Sequence, residues 1–148
     1  MPTLIAYKKA NLRFERLHEY AAGIELFGQE VKSLRAKLGS LEGSRVIIRG
    51  GEAYLVGMTI PAYQPANAPK DYDTERPRRL LLTKKEMREL AAAESQKGLT
   101  LVPFELHTSG RNVKVRLGIV RGKGRADRRE DLKKRDAFRE TARILKNR

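Results

Sequence analysis

The sequence predicts a mainly β fold with embedded helices: short antiparallel strands closing into a small barrel, followed by a basic tail. Three observations carry this reading. Val113, Val115, Leu117 and Ile119 alternate with Lys114, Arg116 and Gly118, the period of a half-buried strand with a basic outer face. RVIIR at 45–49 and EAYLVGM at 52–58 flank Gly50-Gly51, which marks a hairpin with a two-residue loop. Helical patterns interrupt the strands at only two places, 28–36 and the stretch after Thr83.

Taken in order, segment 12–27 sets Phe14, Tyr20, Ile24, Leu26 and Phe27 around Gly23 and reads as one or two strands. Gly28 to Arg35, GQEVKSLR, places Val31 and Leu34 three apart. This predicts a short amphipathic helix, packed by its two aliphatics, with Glu30, Lys32 and Arg35 turned outward. The stretch from Pro61 to Pro77 also holds Pro65 and Pro69 and little apolar material. It reads as a long surface loop ending in the basic run Arg76, Arg78 and Arg79. Thr83 and Glu86 form a capping box, with Met87, Leu90 and Ala91 as the buried stripe and Lys97-Gly98 as the stop. LTLVPFELH at 99–107 is a further strand, joined through Ser109-Gly110 to the strand at 113–119. Pro103 within it implies an edge or a bulge.

Charge divides the chain in two. The 148 residues carry a net charge of +14. Residues 121–148 hold 12 of the 32 Lys and Arg but 5 of the 18 Asp and Glu, so the last fifth carries half the net charge. A boundary is therefore expected near Gly122, between a β-barrel domain at 1–122 and a basic tail at 123–148. Phe138, Ala142 and Leu145 sit at helical spacing in the tail, but Leu132 and Ile144 fall off that stripe. So charged a segment gains little by folding alone, and it is expected to be disordered when free and ordered on a partner.

Composition excludes several functions. No cysteine is present, which removes disulfides and thiolate metal sites, and two histidines are too few for a histidine-rich one. No apolar run approaches the roughly 18 residues of a membrane span. MPTLIAYKKAN has no long apolar stretch, so a cytoplasmic protein is expected. Walker A, G-x-S-x-G, H-E-x-x-H and C-x-x-C patterns are all missing, and neither an enzyme nor a cofactor is expected. A strongly basic chain favours a polyanionic partner. A small barrel with a basic face suits irregular or single-stranded RNA, read by shape and phosphate charge. Five Tyr, four Phe and no Trp are few, and most are expected in the core, so reading of consecutive bases by stacking is not expected. From the residues alone, an rRNA-binding structural protein and an RNA-processing factor remain equally open.

The chain resembles the SsrA-binding protein, or small protein B, family. GQEVKSLR carries the resemblance, with Ala22-Gly23-Ile24 upstream and Ile60-Pro61-Ala62-Tyr63 after the hairpin. Asp73, Arg76 and Arg78-Arg79-Leu80-Leu81-Leu82 follow, then KGLTLVP at 97–103 and Lys114-Val115 before Leu117-Gly118. Gly122-Lys123 precedes Asp127-Arg128-Arg129, where the family has Asp-Lys-Arg. The resemblance implies an oligonucleotide-binding barrel that holds the transfer-RNA-like domain of transfer-messenger RNA and delivers it to stalled ribosomes for trans-translation. It implies that the tail becomes helical in the empty mRNA channel of the small subunit. Lys114 and Leu81 match family residues at the RNA surface, with Arg116, Arg121 and Lys123 as flanking phosphate contacts. Glu30, Lys32, Arg35, Arg76, Arg78 and Arg79 join them as RNA-binding candidates. In the tail, Asp127, Arg128 and Arg129 would lie near the decoding centre and Lys133, Lys134 and Arg135 in the channel. The partners expected are transfer-messenger RNA and the ribosome, with a monomeric protein and no membrane. The alternative is a protein bound constitutively to ribosomal RNA without a rescue role. The chain departs from the family pattern at Ala21, where a glutamate contacts RNA, and at Ala126, where an aromatic or histidine stacks. It departs also at Tyr7, usually asparagine, and at Gly124, usually lysine.

Overall fold

The computed structural model describes residues 3–67 and 70–122. Its elements are β1 (Thr3–Ala6), α1 (Ala10–Arg13), β2 (Phe14–Ile24), α2 (Gly28–Arg35), β3 (Arg45–Arg49) and β4 (Glu52–Val56). A 3-10 turn at Pro65–Asn67 precedes β5 (Arg78–Leu81), α3 (Lys84–Glu94), β6 (Leu99–Ser109) and β7 (Asn112–Gly122). The strands form one antiparallel sheet in the order β1-β6-β7-β2-β5-β4-β3.

Both predicted hairpins are present. Gly50 and Gly51 carry φ of 58° and 76°, the paired left-handed conformation that a two-residue type I′ loop needs. In the second hairpin the pairing runs from Ser109–Asn112 to Leu99–Arg121, with one register break between Pro103 and Glu105. Pro103 therefore sits at a bulge. The β1 ladder alongside covers Glu105 to His107, and the Tyr7 N–H donates to the Phe104 carbonyl at 2.8 Å. The ladder is irregular at this break, where a residue without an N–H is tolerated.

The expected closed barrel is an open, curled sheet. Curling brings β3 against β6, but among the described residues no ladder joins the edge strands β1 and β3. In the chain between α2 and β3, Ser40 bridges to Thr59 just after β4, and Gly39 packs against Leu34 and Ile5.

The concave side holds the core. Val46, Leu55, Leu80, Leu106, Val115 and Leu117 come from five strands, and each is at most 2% exposed. Burying one such side chain is worth about 1.5–3 kcal/mol. Helix α3 packs on β3 and β6 through Leu90 and Ala93, with Met87 partly buried; Ala91, expected in that stripe, is exposed. Glu94 explains the rotation. It accepts from the Ile48 N–H at 3.0 Å and pairs with Arg49, which turns that side of the helix toward β3. The capping box forms as read: the Glu86 N–H donates to Thr83 Oγ1 at 3.2 Å and the Thr83 N–H to Glu86 Oε1 at 3.0 Å. Thr83→Ala is expected to cost about 1 kcal/mol, read as a lower urea midpoint at unchanged slope.

The sequence reading missed three elements. β1 and α1 lie in an N-terminal stretch with no periodicity long enough to detect. β5 is a four-residue strand at the end of the supposed loop, and it binds β2 to β4. Segment 12–27 contains one strand, β2, whose register to β7 shifts between Arg16 and His18.

Candidate nucleic-acid interface

Strand register assembles the first part of the site. Gly23 of β2 is paired with Leu81 of β5 on one side and Lys114 of β7 on the other. Three residues distant in sequence thus form one row on the convex face. Gly23 has no side chain, and Leu81 leans over it: Cβ and Cδ1 lie 3.4 Å from where a Gly23 Cβ would stand. Leu81 remains 48% exposed, so it is not a core residue. Lys114 is partly exposed and makes no ion pair or hydrogen bond among the described residues. The result is an apolar step beside an unpaired cation, suited to a sugar or base edge next to a phosphate.

The next row places Ala21 opposite Arg116. Arg116 pairs with Glu105 at 3.4 Å, while Arg121 lies 3.9 Å from Glu15 with both side chains exposed. Exposed pairs of this kind are worth about 0–1 kcal/mol and exchange readily for a phosphate. The small Ala21 leaves the surface beside Arg116 open. On the far side of Lys114, β6 contributes His107, which is buried and whose Nδ1 has no partner. Lys123 and the tail candidates Asp127, Arg128, Arg129, Lys133, Lys134 and Arg135 lie outside the described residues.

Helix α2 corrects several sequence expectations. Glu30 does not face outward; it is fully buried. It precedes Leu34 by one helical turn and so shares the buried stripe. Its carboxylate accepts from Arg78 Nε at 3.0 Å and Arg78 Nη2 at 2.6 Å, from Arg76 Nε at 3.2 Å and Arg76 Nη2, and from the Phe27 N–H at 2.8 Å. Arg78 is fully buried too, and donates onward to the carbonyls of Met58 at 2.7 Å and Thr74 at 3.0 Å. The Tyr72 hydroxyl lies 2.8 Å from the Ile60 carbonyl and 3.1 Å from Glu30 Oε2. Burial pushes the Glu30 carboxyl up, but hydrogen bonds from Arg76, the Phe27 N–H and Arg78 outweigh it and hold the group below the usual carboxylate range. Burial and the neighbouring Glu30 raise Tyr72.

Glu30 and Arg78 have no surface to offer an RNA. They fasten α2 to β5 and to the chain before it. Arg76 is largely covered, its side chain 22% exposed. Arg79 is held by Glu52 at 2.8 Å and Glu25 at 3.2 Å. Of the α2 charges, Lys32 and Arg35 remain exposed, with no partner among the described residues. The sequence reading also missed Phe27, which it left undistinguished among the aromatics. Phe27 is 52% exposed, and the Arg76 guanidinium sits 3.8 Å from its ring centroid. Among the described residues no His, Asp and Glu cluster could hold a metal ion.

Residues 4–147 match the family model described as SmpB protein. The chain belongs to the SmpB family. An SsrA-binding protein of Thermosynechococcus vestitus is 43% identical over 141 residues, covering 95% of this chain and 93% of the relative. One from Thermosipho africanus is 40% identical over 147 residues, covering 99% and 98%. A solved SmpB structure, described as "tmRNA-SmpB: a journey to the center of the bacterial ribosome", is 39% identical with a TM-score of 0.70. It covers 89% of this chain and 95% of that one. The β core with its embedded helices thus matches the SmpB fold.

Proposed function

We propose that this SmpB-family chain binds the transfer-RNA-like domain of transfer-messenger RNA and delivers it to stalled ribosomes in trans-translation. The juxtaposition of Leu81, Gly23 and Lys114 on one convex face carries the reading, in a chain whose relatives are SsrA-binding proteins. Arg116 extends that face as a phosphate contact, and Arg121 is a further candidate near the end of β7. The reading requires no catalysis: the family is an RNA-binding one. No helix of the described residues is long and apolar enough to cross a membrane, and the proposed work on ribosomes implies a cytoplasmic protein.

Residues 1–122 act as the RNA-binding unit and 123–148 as the ribosomal unit in this proposal. Asp127, Arg128 and Arg129 would meet the decoding centre; Lys133, Lys134 and Arg135 would line the empty mRNA channel. The excess of cations in this segment supports a path along rRNA phosphates. Deleting residues 125–148 is expected to spare binding to the isolated RNA and to abolish tagging on stalled ribosomes. Loss of RNA binding on truncation would overturn this division.

The deciding experiment is salt-dependent binding to the transfer-RNA-like domain in competition with bulk tRNA. Selective binding that persists as salt rises supports the reading and shows that Ala21 is tolerated. Equal, weak binding to both RNAs, lost steeply with salt, rejects it in favour of constitutive attachment to rRNA.

A further inference from the structure

Phe27 is an exposed aromatic held in place by buried chemistry. It precedes the first turn of α2, and its N–H donates to Glu30 Oε1 at 2.8 Å. The same carboxylate grips Arg76, whose guanidinium covers one face of the Phe27 ring at 3.8 Å. One buried anion therefore fixes both the backbone of Phe27 and the cation against its ring. Packing at the helix start does not call for this ring. Leu26 and Val31 occupy the positions that staple the incoming chain to the first turn, and both pack on the core. Phe27 is the most exposed of the large apolar side chains among the described residues.

Its surroundings are cationic. Lys32 and Arg35 share the exposed stripe of α2, opposite Glu30, Ser33 and Leu34, and neither has a partner among the described residues. Gly28 lies on that stripe as well, with nothing within 4 Å of where its Cβ would stand. The ring at the N-cap precedes an open backbone at Gly28 and, further along α2, two cations without partners among the described residues.

We infer that Phe27, backed by Arg76, is a stacking platform for one unpaired RNA base, whose flanking phosphates are met by Lys32 and Arg35. This rests on the RNA-binding reading above and adds a base contact to it. The complementarity is specific. A nucleobase needs a π face, and every base has one, so the contact tolerates sequence and selects a looped or unpaired nucleotide. Arg76 continues the stack on the inner side, and its own charge is already balanced by Glu30. Because the ring is fixed before RNA arrives, little conformational entropy is lost on binding.

The test uses the full chain and the transfer-RNA-like domain. Phe27→Leu keeps the apolar bulk but removes the ring. It should weaken binding about tenfold or more, with the slope of log affinity against log salt unchanged, because no phosphate contact is lost. Phe27→Trp installs the only tryptophan in the chain. It should bind like the parent, and its emission should be quenched as RNA is added. Circular dichroism of both variants should match the parent. Parent-like affinity of Phe27→Leu, or unquenched Trp emission in a saturated complex, overturns the platform while leaving selective binding by the parent intact. A parent that fails to select the transfer-RNA-like domain over bulk tRNA instead overturns the proposed function, and the platform with it.

Discussion

Glu30→Gln lowers the folding free energy by about 3–5 kcal/mol, the cost of leaving a buried partner charge uncompensated. Arg78 is fully buried and directs two of its hydrogen bonds to Glu30, and no other carboxylate among the described residues pairs with it. The urea midpoint should drop sharply, and a change below about 1 kcal/mol would reject the network as a structural tie. Acid adds an independent check. The carboxyl is held below its ordinary value of 4.5, so the folded state favours the ionised form. Its contribution is complete above that ordinary value and disappears as pH falls through the lower folded value. The parent should therefore lose stability on acidification from about pH 5, and Glu30→Gln should flatten that acid limb. At the alkaline end, Tyr20 is pushed up to about 12 by burial and by its hydrogen bond to Glu89. The fold favours its neutral phenol, so that contribution is complete below the ordinary value of 10.0 and is lost as pH rises toward about 12.

Lys114→Glu weakens binding of the transfer-RNA-like domain by roughly tenfold or more and reduces the salt slope by about one or more. Lys114 has no partner among the described residues, so nothing in the fold is broken by the change. Thermal stability should move by about 0.5 kcal/mol or less. Unchanged affinity would remove Lys114 from the RNA surface. The two substitutions are complementary: one strikes the frame that holds α2, the other the face that meets RNA. A Glu30 variant is expected to lose RNA binding only as far as α2 and Phe27 lose their positions, which a salt slope close to the parent's would report.

Much of the architecture is legible in the residues because the signals are local. Alternation in Val113 to Ile119, the Gly50-Gly51 pair and the Thr83–Glu86 box each describe a few consecutive residues, and each element forms where it was read. The signature GQEVKSLR marks its helix and, with the other motifs, its family. The charge asymmetry toward the C-terminus is equally a property of the chain itself. The family resemblance singles out Lys114, and alternation agrees with it by setting this residue on the polar face of β7.

Tertiary structure decided what depends on partners distant in the chain. Glu30 and Arg78 look like surface charges because isolated charges are costly to bury; each is buried because the other is there, 48 positions away. The residues alone leave Leu81 between core and surface; the pairing of β5 with β2 sets it beside a glycine on the outer face. Phe27 reads as one aromatic among several until Arg76 stacks on it and the core passes it by. Sheet closure was decided likewise: strand periodicity says which residues face inward, but not whether the last strand meets the first. Here no ladder joins the edge strands β1 and β3 among the described residues. Sequence by itself determined the longer elements, the family and the distribution of charge, because these follow from local periodicity, motifs and composition. The fold alone determined which charges are structural and which are free, because desolvation and pairing are set by contacts that no stretch of sequence contains.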